Sequence, residues 1–182
     1  MLILDVGCGG NKVPGALGVD RLSLPGVDVV CNFEGSPLPF ETSTVDIIHT
    51  RHTLEHISDL EYVLREFLRV LKPNGKLYVT VPHFSNPLGY SDYTHKRFFG
   101  YYTFDYFSKA RGRRWKVPRY TTDIWFKIVR KRLVFGRLSM FAPLLDAIFN
   151  MGSRLPYIYE SKLAWLCPCF EITFELEPDK DG

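Results

Sequence analysis

The chain has 182 residues, of which 46% are hydrophobic and 24% charged, and its formal net charge is +3. This balance is typical of a globular protein and excludes a disordered one, and no apolar run is long enough to span a membrane. We predict a single cytoplasmic domain, because the length suits one core and Met1 directly precedes a predicted strand, leaving no room for a signal peptide.

Short, nearly all-apolar segments alternate with polar ones in the first half of the chain. The predicted strands cover residues 2–4, 17–19, 27–31, 45–48 and 76–81. Between the last two, apolar residues from Leu60 to Leu71 recur with the period of a helix, with Ser58 as N-cap and Glu61 completing a capping box. Strands that are apolar throughout predict a parallel sheet covered on both faces.

The second half has a different pattern. Residues 124–135 form a strand candidate, and "CFEITFELEP" near 169–177 alternates apolar and polar residues, as a strand with one wet face does. Apolar helical segments lie between these two strands, and "TFDYFSKA" predicts a short helix before them. We therefore predict a Rossmann-like α/β domain over 1–182, with a seven-stranded, mostly parallel sheet, a terminal antiparallel strand pair and a helical insertion between the last two strands.

A glycine turn follows the first predicted strand, in "LILDVGCGGNKVPGALGVD". Gly7 and Gly9 would let a ligand approach the backbone closely at the carboxyl edge of the sheet. Lys12 occupies the third position of a dinucleotide fingerprint, and Pro14 and Gly15 interrupt the helix that would seat a pyrophosphate. The pattern favours a ligand with a ribose for Asp20 to bind and no phosphates to cradle.

Four stretches in order, "LDVGCGG", "GVD", "LPFETSTVDIIHTRHTLEH" and "EFLRVLKPNGKLYVTVP", give the chain a family resemblance. Over residues 2–82 it resembles the class I S-adenosylmethionine-dependent methyltransferases, and more narrowly their small bacterial and archaeal type-11, UbiE-like group. The chain departs from the group's motifs at Thr44-Val45-Asp46 and at Asn74. The resemblance implies a methyltransferase with S-adenosylmethionine as cofactor, a cofactor-binding half at about 1–82 and an acceptor or lid half at about 83–182.

The resemblance also implies which residues bind the cofactor. The glycine motif would line its methionine part, Asp20 would bind the ribose hydroxyls, and Phe33 would flank the adenine. Asn32 stands where the family usually has an Asp, and its side-chain oxygen can still accept a hydrogen bond from the adenine amino group. The residues after the fourth strand would hold the amino acid end. The implied cofactor site is Asp5, Gly7, Gly9, Asp20, Asn32, Phe33, Thr50, Arg51 and His52.

All five histidines lie between residues 49 and 95, and several follow predicted strands. Methyl transfer needs a general base only for a poor nucleophile such as an alcohol. His83 and His95 are the candidate catalytic residues, with a structural role in pinning their loop as the alternative. An oxygen of a small molecule, or of a glycan or lipid-linked substrate, is the predicted acceptor. No metal site is predicted, since "CPC" at 167–169 lacks metal-ligand spacing.

The segment 101–140 holds eleven Lys and Arg against two acids, with several aromatic residues. Three functional interpretations stay open beside a simple solvated rim: an RNA contact through the basic residues of 109–137, a peripheral contact with the inner membrane face through the apolar insertion, and a lid over the acceptor pocket. A cofactor-binding protein without transferase activity is the second functional class. An oxidoreductase that binds a dinucleotide is a distant third.

Overall fold

The computed structural model describes residues 1–109, 118, 120, 123–136 and 140–180. Its strands are β1 (Ile3–Val6), β2 (Leu17–Asp20), β3 (Val29–Val30), β4 (Val45–Arg51), β5 (Leu71–Pro82), β6 (Phe126–Val134) and β7 (Glu171–Pro178). The described strands form one seven-stranded sheet in the order β3-β2-β1-β4-β5-β7-β6. β1 to β5 are parallel, and β7 is antiparallel to both β5 and β6. The predicted fold class is confirmed.

Helix α1 (Leu60–Val70) connects β4 to β5 and buries the apolar face that its periodicity predicted. The N-cap is Asp59, whose carboxylate accepts a hydrogen bond from the Tyr62 amide at 2.9 Å. The predicted cap at Ser58 and capping box with Glu61 are therefore wrong, because the helix begins one residue later. Ser58 instead accepts a hydrogen bond from Lys96.

One face of the sheet is less covered than the sequence predicted. Leu77 and Val79 of β5 are buried, whereas Tyr78 and Thr80 between them are half-buried. The reason lies in residues 1–44, all of them described, where the connections after β1, β2 and β3 contain no helix. On this face Tyr78 stacks on His49, with ring centroids 5.1 Å apart. The prediction of a sheet covered on both faces is corrected accordingly.

The helical insertion lies between β6 and β7, as predicted. It comprises α2 (Ala142–Phe149), α3 (Leu155–Ile158) and a π-helical turn at Tyr159–Leu163. The Tyr159 ring is fully buried and contacts the rings of Phe135 and Phe149, so the insertion shares the core of the sheet. The predicted short helix in "TFDYFSKA" is a 3₁₀ helix, Thr103–Phe107. None of the described helices is long and apolar enough to cross a membrane.

Candidate cofactor-binding site

The sheet changes direction between β1 and β4, and the carboxyl ends of these strands border two adjoining clefts. In open α/β sheets such a switch point is where ligands bind. The first, which we call the main cleft, has a volume of about 240 Å³. It is lined by Gly7, Gly9, Asp20, Arg21, Leu22, Leu24, Asn32, Phe33, Glu34, His52, Thr53, His56, Ile57 and Thr94. Six of the nine predicted cofactor residues are therefore brought together here.

The second cleft has a volume of about 450 Å³ and contains the remaining three, Asp5, Thr50 and Arg51. Residues 8 and 10–14, His49, Tyr78 and Thr80 complete its lining. Gly7, Gly9 and His52 line both clefts, so the two meet at the glycine turn. Small-molecule sites typically enclose ~300–1,000 Å³, and the adjoining clefts together fall within that range.

The glycine turn is required sterically at Gly7. Its φ is +76°, and a Cβ atom there would lie 2.2 Å from Thr53 Oγ1. Gly9 also has a positive φ, +53°, but a Cβ atom there would meet nothing within 4 Å. Gly7 therefore lets the β1 turn pack on Thr53, whereas Gly9 mainly permits the backbone conformation.

Asp20 is held at the end of β2 by two backbone amides. One carboxylate oxygen accepts a hydrogen bond from the Gly9 amide at 2.9 Å, and the other accepts one from the Leu22 amide at 3.0 Å. Each carboxylate oxygen can accept a second hydrogen bond, so this fixed side chain can still receive two hydroxyl donors from the main cleft. Its geometry suits a ribose diol.

Asp5 has a different role in the turn. It is 4% exposed, and its carboxylate accepts a hydrogen bond from the Val13 amide at 2.8 Å. This bond ties the loop after Gly9 back to β1. Asp5 therefore shapes the floor of the second cleft, whereas Asp20 is presented to the main cleft.

His52 follows β4 in a strained backbone conformation, with φ of +51°. Its Nε2 atom lies 3.1 Å from a Glu171 carboxylate oxygen, and its Nδ1 atom lies 3.5 Å from Glu55 Oε1. The hydrogen bond to Glu171 and the Glu55 carboxylate raise the pKa of His52 to about 9. An imidazolium at neutral pH thus stands where the two clefts meet.

The other predicted cofactor residues differ in exposure. Phe33 is buried and Asn32 is exposed at the far end of the main cleft. Thr50 is 2% exposed, and its hydroxyl has no hydrogen-bond partner among the described residues. Arg51 is exposed at the end of β4. The main cleft therefore has the apolar ring of Phe33 beside the polar side chain of Asn32, and the second cleft has the cation of Arg51.

The two candidate bases lie in different environments. His83 is 1% exposed, its Nδ1 accepts a hydrogen bond from the Ser85 amide at 3.2 Å, and its Nε2 lies 3.1 Å from Glu160. It lines neither cleft. The His95 side chain is 10% exposed and packs edge-on against His56, with ring centroids 4.8 Å apart. His95 therefore lies behind the wall of the main cleft.

Sequence reasoning missed several residues of the main cleft. Thr53 and His56 belong to "HTLEH", which carried the resemblance, but neither was assigned to cofactor binding. Thr94 lies in the loop after β5 and hydrogen-bonds His56 Nδ1 at 2.8 Å. No spacing rule links residues 38 positions apart, so only the fold could show this pair.

An aromatic cavity of about 370 Å³ lies in the second half of the chain. It is lined by Phe84, Gly100, Tyr102, Thr103, Tyr106, Tyr157, Glu160 and Ser161. Phe84 follows β5 closely, so the cavity lies on the carboxyl side of the sheet. It provides an apolar space with one carboxylate on its wall.

Comparisons with known proteins agree with this architecture. Residues 14–79 match a family described as a methyltransferase domain. The chain is 31% identical over 98 residues to sterol 4-C-methyltransferase strm-1 of Caenorhabditis elegans, covering 42% of this chain and 29% of that protein. It is 38% identical over 55 residues to ubiquinone/menaquinone biosynthesis C-methyltransferase UbiE of Idiomarina loihiensis, covering 30% and 21%. The chain thus matches less than a third of either curated relative.

A solved structure of an S-adenosylmethionine-dependent methyltransferase from Archaeoglobus fulgidus has the same fold. The TM-score is 0.63 at 14% identity, and the match covers 96% of this chain and 85% of that one. The family match over residues 14–79 and the shared fold support the resemblance to the class I S-adenosylmethionine-dependent methyltransferases. The UbiE match agrees with the predicted group, and the cofactor that the resemblance implies is S-adenosylmethionine.

Proposed function

We propose that this chain transfers a methyl group from S-adenosylmethionine, with the cofactor extending across both clefts. The observation that carries the proposal is the meeting of the clefts at Gly7, Gly9 and His52, with Asp20 on one side and Arg51 on the other. A cofactor with an adenosine at one end and an amino acid at the other needs this division. The adenosine occupies the main cleft, and the amino acid end lies in the second.

Individual residues divide the binding between them. Asp20 receives the ribose hydroxyls, Phe33 packs against the adenine, and Asn32 accepts a hydrogen bond from its amino group. The cofactor carboxylate lies between the His52 imidazolium and Arg51, whose charges complement it. Nearby, Thr50 offers a hydroxyl that has no hydrogen-bond partner among the described residues. Asp5 acts through the loop it holds and not by direct contact.

Calorimetry with S-adenosylmethionine tests the cofactor site. We expect Asp20→Ala to weaken binding by about 1–3 kcal/mol, the range for hydrogen bonds to a charged group. Asp28→Ala is the matched control, because Asp28 also accepts a backbone hydrogen bond, from the Gly18 amide at 2.7 Å, but lines neither cleft. Equal affinities for wild type and Asp20→Ala, or tight NAD binding without cofactor binding, would contradict the assignment.

The acceptor class we propose is an apolar or lipid-linked small molecule. Helix α2 packs Leu145 and Phe149 against the core, yet several apolar residues in and beside this helix are exposed, and the aromatic cavity lies in the same half of the chain. These exposed residues are Phe141, Leu144, Ile148 and Met151. Both curated relatives carry names that refer to apolar compounds, a sterol and the quinones. Exposed apolar side chains suit contact with such an acceptor.

Analysis of the methylated product identifies the acceptor atom. The sequence predicts an oxygen, which calls for a base, whereas both curated relatives are named C-methyltransferases. Of the two candidate bases, His95 is favoured by its contact with His56 on the wall of the main cleft. Mass spectrometry and NMR of the methylated product distinguish O-methyl from C-methyl.

Transfer of a labelled methyl group separates the remaining alternatives. The purified chain is incubated with labelled cofactor and, separately, with a lipid extract, a water-soluble metabolite extract and RNA. We expect label in the lipid fraction together with release of S-adenosylhomocysteine. Label in RNA would favour an RNA acceptor that binds the basic segment 109–137. Within the described residues of that segment, Lys131 is paired with Asp105, and Arg130 and Arg132 are exposed. Residues 111–117, 119 and 137 lie outside the described residues. Cofactor binding without release in any fraction would favour the non-catalytic class.

A further inference from the structure

A cluster of three potential metal ligands lies behind the wall of the main cleft. Glu55 and His56 belong to the 3₁₀ turn after β4, and His95 lies in the loop after β5. One ligand atom of each lies within 4.8 Å of the others. The cysteines of "CPC" are close in the sequence, whereas this cluster is spread over 41 positions and follows no known ligand spacing.

Glu55 is the unusual member of this cluster. It is 1% exposed, and neither carboxylate oxygen has a hydrogen-bond partner among the described residues. The nearest ionisable group across from it is His52, whose Nδ1 lies 3.5 Å away and whose other ring nitrogen hydrogen-bonds Glu171. The His52 imidazolium offsets the charge of Glu55, but it leaves both carboxylate oxygens without a hydrogen bond. Buried polar atoms are normally hydrogen-bonded or bound to a metal, and an ion coordinated by Glu55 would use this free capacity.

The hydrogen bonds of His56 leave one nitrogen free to bind an ion. The Thr94 hydroxyl lies 2.6 Å from an Asp92 oxygen and 2.8 Å from His56 Nδ1. Because the carboxylate can only accept, the hydroxyl gives its single proton to Asp92 and accepts one from His56 Nδ1. His56 Nε2 then carries the lone pair. Metal-bound histidines are usually oriented in this way, with the second N–H donated to an outer partner.

His95 has a neighbouring carboxylate but no hydrogen bond to it. Its Nε2 atom lies 3.6 Å from the second Asp92 oxygen, and its ring packs edge-on against His56. One aspartate therefore lies behind both imidazoles, through Thr94 for one and directly for the other. Thr94 and His56 line the main cleft, so the cluster adjoins the cleft through His56.

From these contacts we propose that Glu55, His56 and His95 form a binding site for a divalent first-row transition ion such as Zn²⁺. Two imidazoles and one carboxylate are a donor set typical of zinc, and they leave one of its four positions for a water or a substrate atom. Ligand atoms of a tetrahedral zinc site are about 3.5 Å apart, so side-chain shifts of about 1 Å would close the set. If the proposed methyl transfer is correct and the acceptor atom is an oxygen, an ion here would bind and activate that oxygen, and His95 would serve as its ligand in place of acting as the base.

The test measures ion binding directly. Chelator-treated protein is titrated with Co²⁺, whose visible absorption reports coordination, and Zn²⁺ is then used as competitor. We expect one Co²⁺ per chain for wild type and at least tenfold weaker binding for His95→Ala and Glu55→Gln. Thr94→Val keeps all three ligands but removes the outer contact, and we expect it to weaken binding ~10–100-fold. His49→Ala is the matched control and should bind as wild type does.

Thiolate binding is the main alternative, since all four cysteines are free. Co²⁺–thiolate ligation adds an intense near-ultraviolet band, and Cys167→Ser would weaken it. Circular dichroism checks that each variant is folded. If Glu55→Gln does not fold, Thr94→Val still tests the site, because Thr94 lies on a loop. The proposal fails if folded wild type shows no saturable binding, or if His95→Ala and Thr94→Val bind as wild type does. S-adenosylmethionine calorimetry on metal-free protein tests the proposed function separately.

Discussion

The main cleft and the cluster around His83 both gather polar side chains near the carboxyl end of the sheet, but they use them in opposite ways. In the cleft, Asp20 is positioned by two backbone amides and keeps further hydrogen-bonding capacity toward open space. In the other cluster, His83 hydrogen-bonds Ser85 and Glu160, Ser85 also hydrogen-bonds Tyr159, and burial raises the pKa of Tyr159. Residue type alone does not identify a ligand site. A ligand site needs polar groups that are accessible and can still form hydrogen bonds.

The largest loss of stability is expected where a substitution fills the space at the glycine turn of the main cleft. Gly7→Ala places a Cβ atom against Thr53 and keeps a positive φ, so we expect a loss of about 3 kcal/mol in the free energy of unfolding. Urea denaturation measures it. Gly9→Ala has a positive φ but open space, and should lose only about 1 kcal/mol. Equal losses would show that backbone conformation alone governs the turn.

The His83 cluster should respond in stability and not in cofactor binding. His83→Ala leaves Ser85 and Glu160 without their buried partner, so we expect a loss of about 2 kcal/mol in the free energy of unfolding. Cofactor affinity should stay within twofold of wild type, because His83 lines neither cleft. His95→Ala is the comparison variant, with the smaller stability loss. A lower turnover per folded molecule in His83→Ala, once an acceptor is known, would restore it as a catalytic candidate.

The sequence could predict the fold because its signals are local. Apolar runs and the alternation around Phe174 identify strands, and their order along the chain restricts the sheet. Asp20 and Gly7 were found in the same way, since a turn and the following strand bring them to one edge. The uncovered sheet face could not be inferred this way, because short connections between apolar strands do not reveal whether a helix covers them.

The sequence could not predict the partners of the histidines, because these contacts join residues far apart in the chain. The partners of His83 include Glu160, 77 positions away, and those of His52 include Glu171, 119 positions away. No periodicity encodes such pairs. The histidines are therefore indistinguishable in the sequence, although His83 is buried, two carboxylates make His52 cationic, and Thr94 sets the tautomer of His56.

The charge on His52 should change the free energy of unfolding only slightly. Its pH dependence tests whether His52 is a cation in the main cleft. The folded pKa of about 9 lies above the ordinary value of 6.5, so its stabilising contribution is complete below pH 6.5 and is lost as pH rises through 9. The side chain is 40% exposed, so after allowing for solvent screening we expect no more than about 1 kcal/mol. His52→Asn is the suitable variant, because Asn tolerates a positive φ. Unfolding free energies of chelator-treated protein at pH 6.5 and pH 9 should differ more for wild type than for the variant, and Glu171→Gln should give an intermediate difference because Glu55 remains. An identical pH dependence in all three proteins would mean that His52 is neutral in the cleft, and the proposed pairing with the cofactor carboxylate would then rest on Arg51 alone.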